Sequence, residues 1–146
     1  MDNIKLLNKF LKDELSATET YQQALNKLRD DVGLSVAESL MPLYEAHKDS
    51  VSSLQSLIQR LGGTPSEDSG SWGTWAKLVQ GGANLLGKQA ALKSLQEGEK
   101  KGVKDYEDAL EDAELHTDIS SLIKTKLLPA QQSHLRILDR LLETAA

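Results

Sequence analysis

Residues 4–28 read IKLLNKFLKDELSATETYQQALNKL, and within them Ile4, Leu7, Leu11, Glu14, Thr18, Tyr21, Leu25 and Leu28 recur at steps of three and four. That spacing lays a single stripe along a helix and turns it toward partner helices. The stripe is apolar except at its middle, where Glu14 interrupts it. A carboxylate in such a seam persists only when it is paired or metal-bound. The stretch therefore predicts a helical bundle and a buried polar site together.

Three more stripes follow. Helix one is expected over about 2–31, ending at Gly33. Ser35-Val36-Ala37-Glu38 then reads as a capping box that opens a second helix over 35–61. Its seam is Val36, Leu40, Leu43, His47, Ser50, Leu54, Leu57 and Leu61, with Pro42 awkward near its start. Gly62-Gly63-Thr64-Pro65 stops it, and residues 62–88 form a long connection with a short helix expected over 72–86. Trp72 and Trp75 are expected to anchor this crossover to the bundle. The third helix is expected over 88–114, with seam Leu92, Leu95, Glu99, Gly102, Tyr106, Ala109 and Ala113. The fourth is expected over 118–143, capped by Thr117 or Asp118, with seam Leu127, Gln131, His134, Leu138, Leu141 and Ala145. Pro129 inside it should kink it, and His116 reads as an exposed loop residue.

Tight joints between helices one and two, and between three and four, make each pair an antiparallel hairpin. The long middle connection fits a crossover that returns the chain to the other end, the ferritin-like arrangement of an all-α, antiparallel four-helix bundle. The whole chain, 1–146, is read as one such domain.

The polar interruptions fall at one level. Glu14, His47 with Ser50, Glu99, and Gln131 with His134 all lie near mid-helix. Glu14 sits roughly 18 Å from its helix start at 1.5 Å per residue, and Ser50 a similar distance from its helix end. The halves also repeat: Glu14 precedes Tyr21 by seven residues, as Glu99 precedes Tyr106. His47-x-x-Ser50 is echoed by Gln131-x-x-His134, each followed by leucines at matching offsets. Two degenerate copies of one hairpin predict an approximate two-fold axis.

Composition narrows the function. The net charge is −5, with both signs interspersed, so no basic face for nucleic acid or an anionic membrane surface is visible. There are no cysteines, which removes disulfides, thiolate metal sites and cysteine nucleophiles. No signal peptide or membrane span is read, and a cytoplasmic location is expected. Gly82-Ala83-Asn84-Leu85-Leu86-Gly87-Lys88 mimics a phosphate loop, but Gln89 follows the lysine and a helix precedes it, so it reads as a break. Ser50 near the histidines lacks oxyanion donors in a bundle core, which argues against a nucleophile there.

Carboxylate-diiron bundles take one Glu from each of two helices and Glu-x-x-His from each of the other two. The chain resembles that plan in position: Glu14 and Glu99 stand at the single-Glu positions, His47-x-x-Ser50 and Gln131-x-x-His134 at the paired motifs. Two carboxylates of the usual four are missing. The run Leu61-Gly62-Gly63-Thr64-Pro65, with Glu97-Gly98-Glu99 and Tyr106-Glu107-Asp108-Ala109-Leu110, is similar to a narrower group. This is an uncharacterised bacterial family of ferritin-like four-helix-bundle proteins, a domain of unknown function related to the rubrerythrin and YciE/YciF stress-protein group. The resemblance implies a link to stress or metal handling and no settled reaction.

Two roles follow. In the first, Glu14 pairs with His47 and Glu99 with His134 in a metal-free network that includes Ser50, and the protein is a non-enzymatic, stress-associated bundle. In the second, the protein is an oxidase-like or metal-handling bundle with a degenerate di-iron site or a single ion: Glu14, His47, Glu99, His134 and Gln131 hold one divalent ion, Fe, Zn or Mn, since two Glu and two neutral His ligands would balance its charge. Tyr21 and Tyr106 are expected as core aromatics with hydrogen-bonded hydroxyls. Charged helix faces leave a homodimer through the crossover open.

Overall fold

A computed structural model describes residues 2–30, 34–69 and 88–145. Every regular element among them is helical. Helix α1 is Asn3–Asp30, α2 is Leu34–Arg60 and α3 is Lys88–Leu110. The fourth rod is composite: α4 (Thr117–Leu122), a π-helical segment (Ile123–Leu127) and α5 (Leu128–Ala145) follow without interruption. The expected crossover helix over 72–86, with Trp72 and Trp75, lies outside the described residues.

The interior consists of two apolar clusters. One joins Leu7, Phe10 and Leu11 of α1 to Leu54, Leu57 and Ile58 of α2, Tyr106 and Ala109 of α3, and Ile119, Ile123 and Leu127 of the fourth rod. The other joins Ala17, Tyr21 and Leu25 to Ala37, Leu40 and Leu43, Leu92 and Leu95, and Leu138. The first half of α1 thus meets the second half of α2, and the break between clusters comes at the same level on each rod. Glu14, His47 with Ser50, Glu99, and Gln131 with His134 occupy that level, all buried.

Helix ends follow local chemistry. Gly62 has φ +87°, a conformation that side chains disfavour. Its N–H bonds Gln59 O at 3.1 Å and that of Gly63 bonds Ile58 O at 2.9 Å, closing α2 with a Schellman motif. Asn8 then clamps the departing chain: its amide donates to Thr64 O at 3.1 Å and its oxygen accepts from Ser66 N at 2.7 Å. Ser69 donates to the Glu19 carboxylate farther along α1. From Gly63, which abuts Ile4, to Ser69, the chain therefore travels along α1 toward its C-terminal half.

Several expectations are corrected. Helix α2 begins at Leu34, so Ser35 lies within the first turn instead of capping it. Helix α3 stops at Leu110, not near 114. Asp112 Oδ1 accepts from Glu114 N at 2.9 Å, a side chain–backbone bond that competes with continuing the helix. Ala113, expected in the seam, is consequently exposed in that turn. The cap of the fourth rod is neither Thr117 nor Asp118 but His116, whose half-buried ring accepts from Asp118 N at 3.0 Å. Thr18 is only half-buried, and Ala17 takes its place in the core.

Pro129 has no N–H, and its ring crowds the carbonyl four residues back. The expected kink takes the form of the π segment immediately before it, where Leu128 N–H bonds Ile123 O, five residues back. The wide turn keeps Ile119, Ile123, Leu127 and Gln131, spaced by fours, on the buried face.

Candidate functional site

Among the buried polar residues, His47 is the hub. Its Nδ1 lies 2.5 Å from Glu14 Oε1 and its Nε2 2.8 Å from Glu99 Oε2. Ionised carboxylates only accept, so both ring nitrogens donate and the ring is an imidazolium. Burial alone would lower the pKa of His47. The charges of Glu99 and Glu14 and their hydrogen bonds outweigh burial and raise it to about 10. For Glu99 burial acts upward, yet the His47 charge and the bonds from His134 and His47 hold its carboxyl well below the usual range.

Each carboxylate has further donors. Tyr106 Oη donates to Glu14 Oε2 at 2.6 Å, and Tyr21 Oη to Glu99 Oε2 at 2.6 Å. Burial, then the neighbouring carboxylates, pushes both phenols well above their ordinary pKa, so they stay protonated donors. Gln131 Nε2 donates to Glu99 Oε1 at 3.0 Å, and His134 Nδ1 lies 3.2 Å from Glu99 Oε2. The His47 and His134 rings stand 4.9 Å apart.

The structure thus brings together Glu14, His47, Glu99, Gln131 and His134. The expected pairs, Glu14 with His47 and Glu99 with His134, both form, and His47 additionally joins the two halves. Ser50 is buried at this level, and among the described residues no hydrogen bond joins it to the network. Sequence reasoning missed that each tyrosine serves the glutamate of the other half of the chain. It also missed Gly102, where an added Cβ would collide with the Gln131 carboxamide. The signal was present, since Gly102 is the one seam position without a side chain and stands between Glu99 and Tyr106.

For metal, the donor atoms of His47, Glu99 and His134 lie within 4.8 Å of one another. These three residues supply nitrogen and oxygen donors suited to a borderline divalent ion. Glu14 reaches this group through His47. A cavity of about 10 Å³ borders the network, lined by Phe10, Asp13, Glu14, Gly102, Asp105, Tyr106 and Gln131. That is room for about one water-sized occupant. Among the described residues no helix is long and apolar enough to cross a membrane.

No match was found among curated proteins or solved structures. A family model does match residues 2–112, a span that includes Glu14, Tyr21, His47, Glu99, Gly102 and Tyr106 and stops before Gln131 and His134. The chain therefore belongs to the family described as Domain of unknown function (DUF2383).

Proposed function

We propose that this protein is a single ferritin-like, antiparallel four-helix-bundle domain whose central layer is closed by a proton, and that it acts without catalysis as a structural, stress-associated bundle. Its work is then done by its surface or by self-association. One observation carries the reading: the doubly bonded His47 imidazolium between Glu14 and Glu99 already supplies the positive charge those carboxylates need. The antiparallel arrangement is supported by the bonds of Tyr106 to Glu14 and Tyr21 to Glu99, which step in opposite senses along α1 and α3. The crossover is supported by the path of residues 63–69 along α1.

A second reading is favoured by the convergence of His47, Glu99 and His134. Two glutamates and one imidazolium leave the layer with one negative charge when His134 is neutral. A divalent ion that displaces one His47 proton makes it neutral. Against a His47 pKa of about 10, that displacement costs roughly 4 kcal/mol at pH 7, at 1.36 kcal/mol per unit. Such an ion, when bound, would supply Lewis acidity or redox chemistry.

Metal analysis of protein purified without a histidine tag separates the readings. The first expects none held by the His47, Glu99 and His134 group, so that metal content, even after anaerobic Fe(II) addition at pH 7, is the same in the wild type and in His134→Asn. One equivalent retained through gel filtration, and lost in His134→Asn, would reverse the order.

A further inference from the structure

The cavity beside Glu14 is surrounded by groups that accept. Gln131 commits one of its two amide N–H groups to Glu99, and its carbonyl oxygen, on a side chain 3 % exposed, has no hydrogen-bond partner. Tyr106 spends its hydroxyl proton on Glu14. The Asp13 and Asp105 carboxylates and Glu14 complete the polar lining. What fills such a space must donate protons or carry positive charge.

Charge decides between those two. Three carboxylates, Asp13, Glu14 and Asp105, border a space of about 10 Å³. The Lys9 ammonium stands 3.7 Å from both Asp13 and Asp105, beyond hydrogen-bond distance, on a side chain 57 % exposed. Lys101 holds the other oxygen of Asp105 at 2.7 Å. We propose that this cavity is a binding site for one small, hard divalent cation, held by Asp13, Asp105 and the Gln131 carbonyl oxygen. All of these donors are oxygens, the set that suits Mg²⁺ or Mn²⁺ and not a nitrogen-seeking metal. The dimensions admit the ion with no water on its inner side, while the aspartate side chains, 28 % and 14 % exposed, let its outer side stay hydrated. The site is distinct from the His47, Glu99 and His134 group and does not depend on whether that group binds metal.

The test is Mn²⁺ titration of untagged protein at pH 7, read by the electron paramagnetic resonance signal of free Mn²⁺, with choline chloride fixing ionic strength. One equivalent is expected to bind. The Asp13→Asn/Asp105→Asn double variant should weaken it by about tenfold or more, as charge-count tuning of oxygen sites implies. His134→Asn should leave it unchanged. Metal-free melting curves establish that the variants are folded; if the double variant is not, each single variant should weaken binding on its own. Absence of Mn²⁺ binding in the wild type would overturn the site. So would binding that survives the aspartate changes and is lost in His134→Asn, which would assign the ion to the histidine group.

Discussion

Tyr106 follows Glu99 by seven residues on its own helix, yet its hydroxyl donates to Glu14 Oε2 at 2.6 Å, 92 residues away. Tyr21, seven residues after Glu14, donates in turn to Glu99 at 2.6 Å. Each half of the chain therefore lends a tyrosine to the buried carboxylate of the other, beside the bonds that carboxylate receives from its own half.

This exchange makes Tyr21→Phe and Tyr106→Phe comparable. Each removes one bond to a charged acceptor without changing shape, and each should cost about 1.5–3 kcal/mol. Urea unfolding of the two variants should give costs within about 1 kcal/mol of each other, given the usual scatter of such bonds. A negligible effect of either would argue that its hydroxyl is not bonded to the carboxylate.

The raised pKa of His47 fixes how stability varies with pH. A group protonated more readily in the folded state stabilises fully below its unfolded pKa, near 6.5, and loses that contribution as pH climbs toward about 10. Glu99 is depressed, so its contribution is present above the unfolded value of 4.5 and is lost as pH falls. Stability should peak at about pH 5–6 and decline by several kcal/mol toward pH 9.5. Urea midpoints at pH 5.5, 7.5 and 9.5 check this, and a His47→Gln variant should show a flatter alkaline decline.

Gly102→Ala should destabilise, although alanine in a helix interior normally gains about 0.5–1 kcal/mol over glycine. The new Cβ meets the Gln131 carboxamide and forces it from Glu99. A net cost of about 1–3 kcal/mol is expected from the buried acceptor left short of a donor. Shortening the neighbour in Gly102→Ala/Gln131→Ala should relieve the collision, so the double variant should be less destabilised than the sum of the two singles.

At the end of α2, Gly62→Ala places a side chain at φ +87° and should cost about 1–2 kcal/mol. Because an added Cβ there meets nothing within 4 Å, the cost is purely conformational. An asparagine, which tolerates this conformation better, should recover part of it in the same thermal melt.

Periodicity exposed the rods and the polar level because burial of a stripe leaves a regular mark, and a charge in the stripe stands out against it. Glu14, His47, Glu99, Gln131 and His134 were all legible for that reason. Their partners were not: nothing in spacing says whether Tyr21 turns to Glu14 or to Glu99, since that depends on how two helices slide past each other. The end of α3 was missed because Asp112 captures a backbone N–H, an effect of one bond and not of pattern. His116 was read past as a cap because imidazole is not among the usual capping groups. The π segment was invisible because a single step of four, as from Ile119 to Ile123, also occurs on an ordinary helix face.

That widened turn has a consequence for chain length. From Ile119 to Gln131 twelve steps complete three buried repeats, where a regular α-helix needs nearer eleven at 3.6 residues per turn. The rod therefore carries one surplus residue just ahead of Gln131 and His134. Removing an exposed one, Lys124 or Thr125, together with a Pro129→Ala change, would leave both polar side chains facing inward on an uninterrupted spiral. A similar excision in α1 or α3 would instead swing half the rod's greasy side toward water.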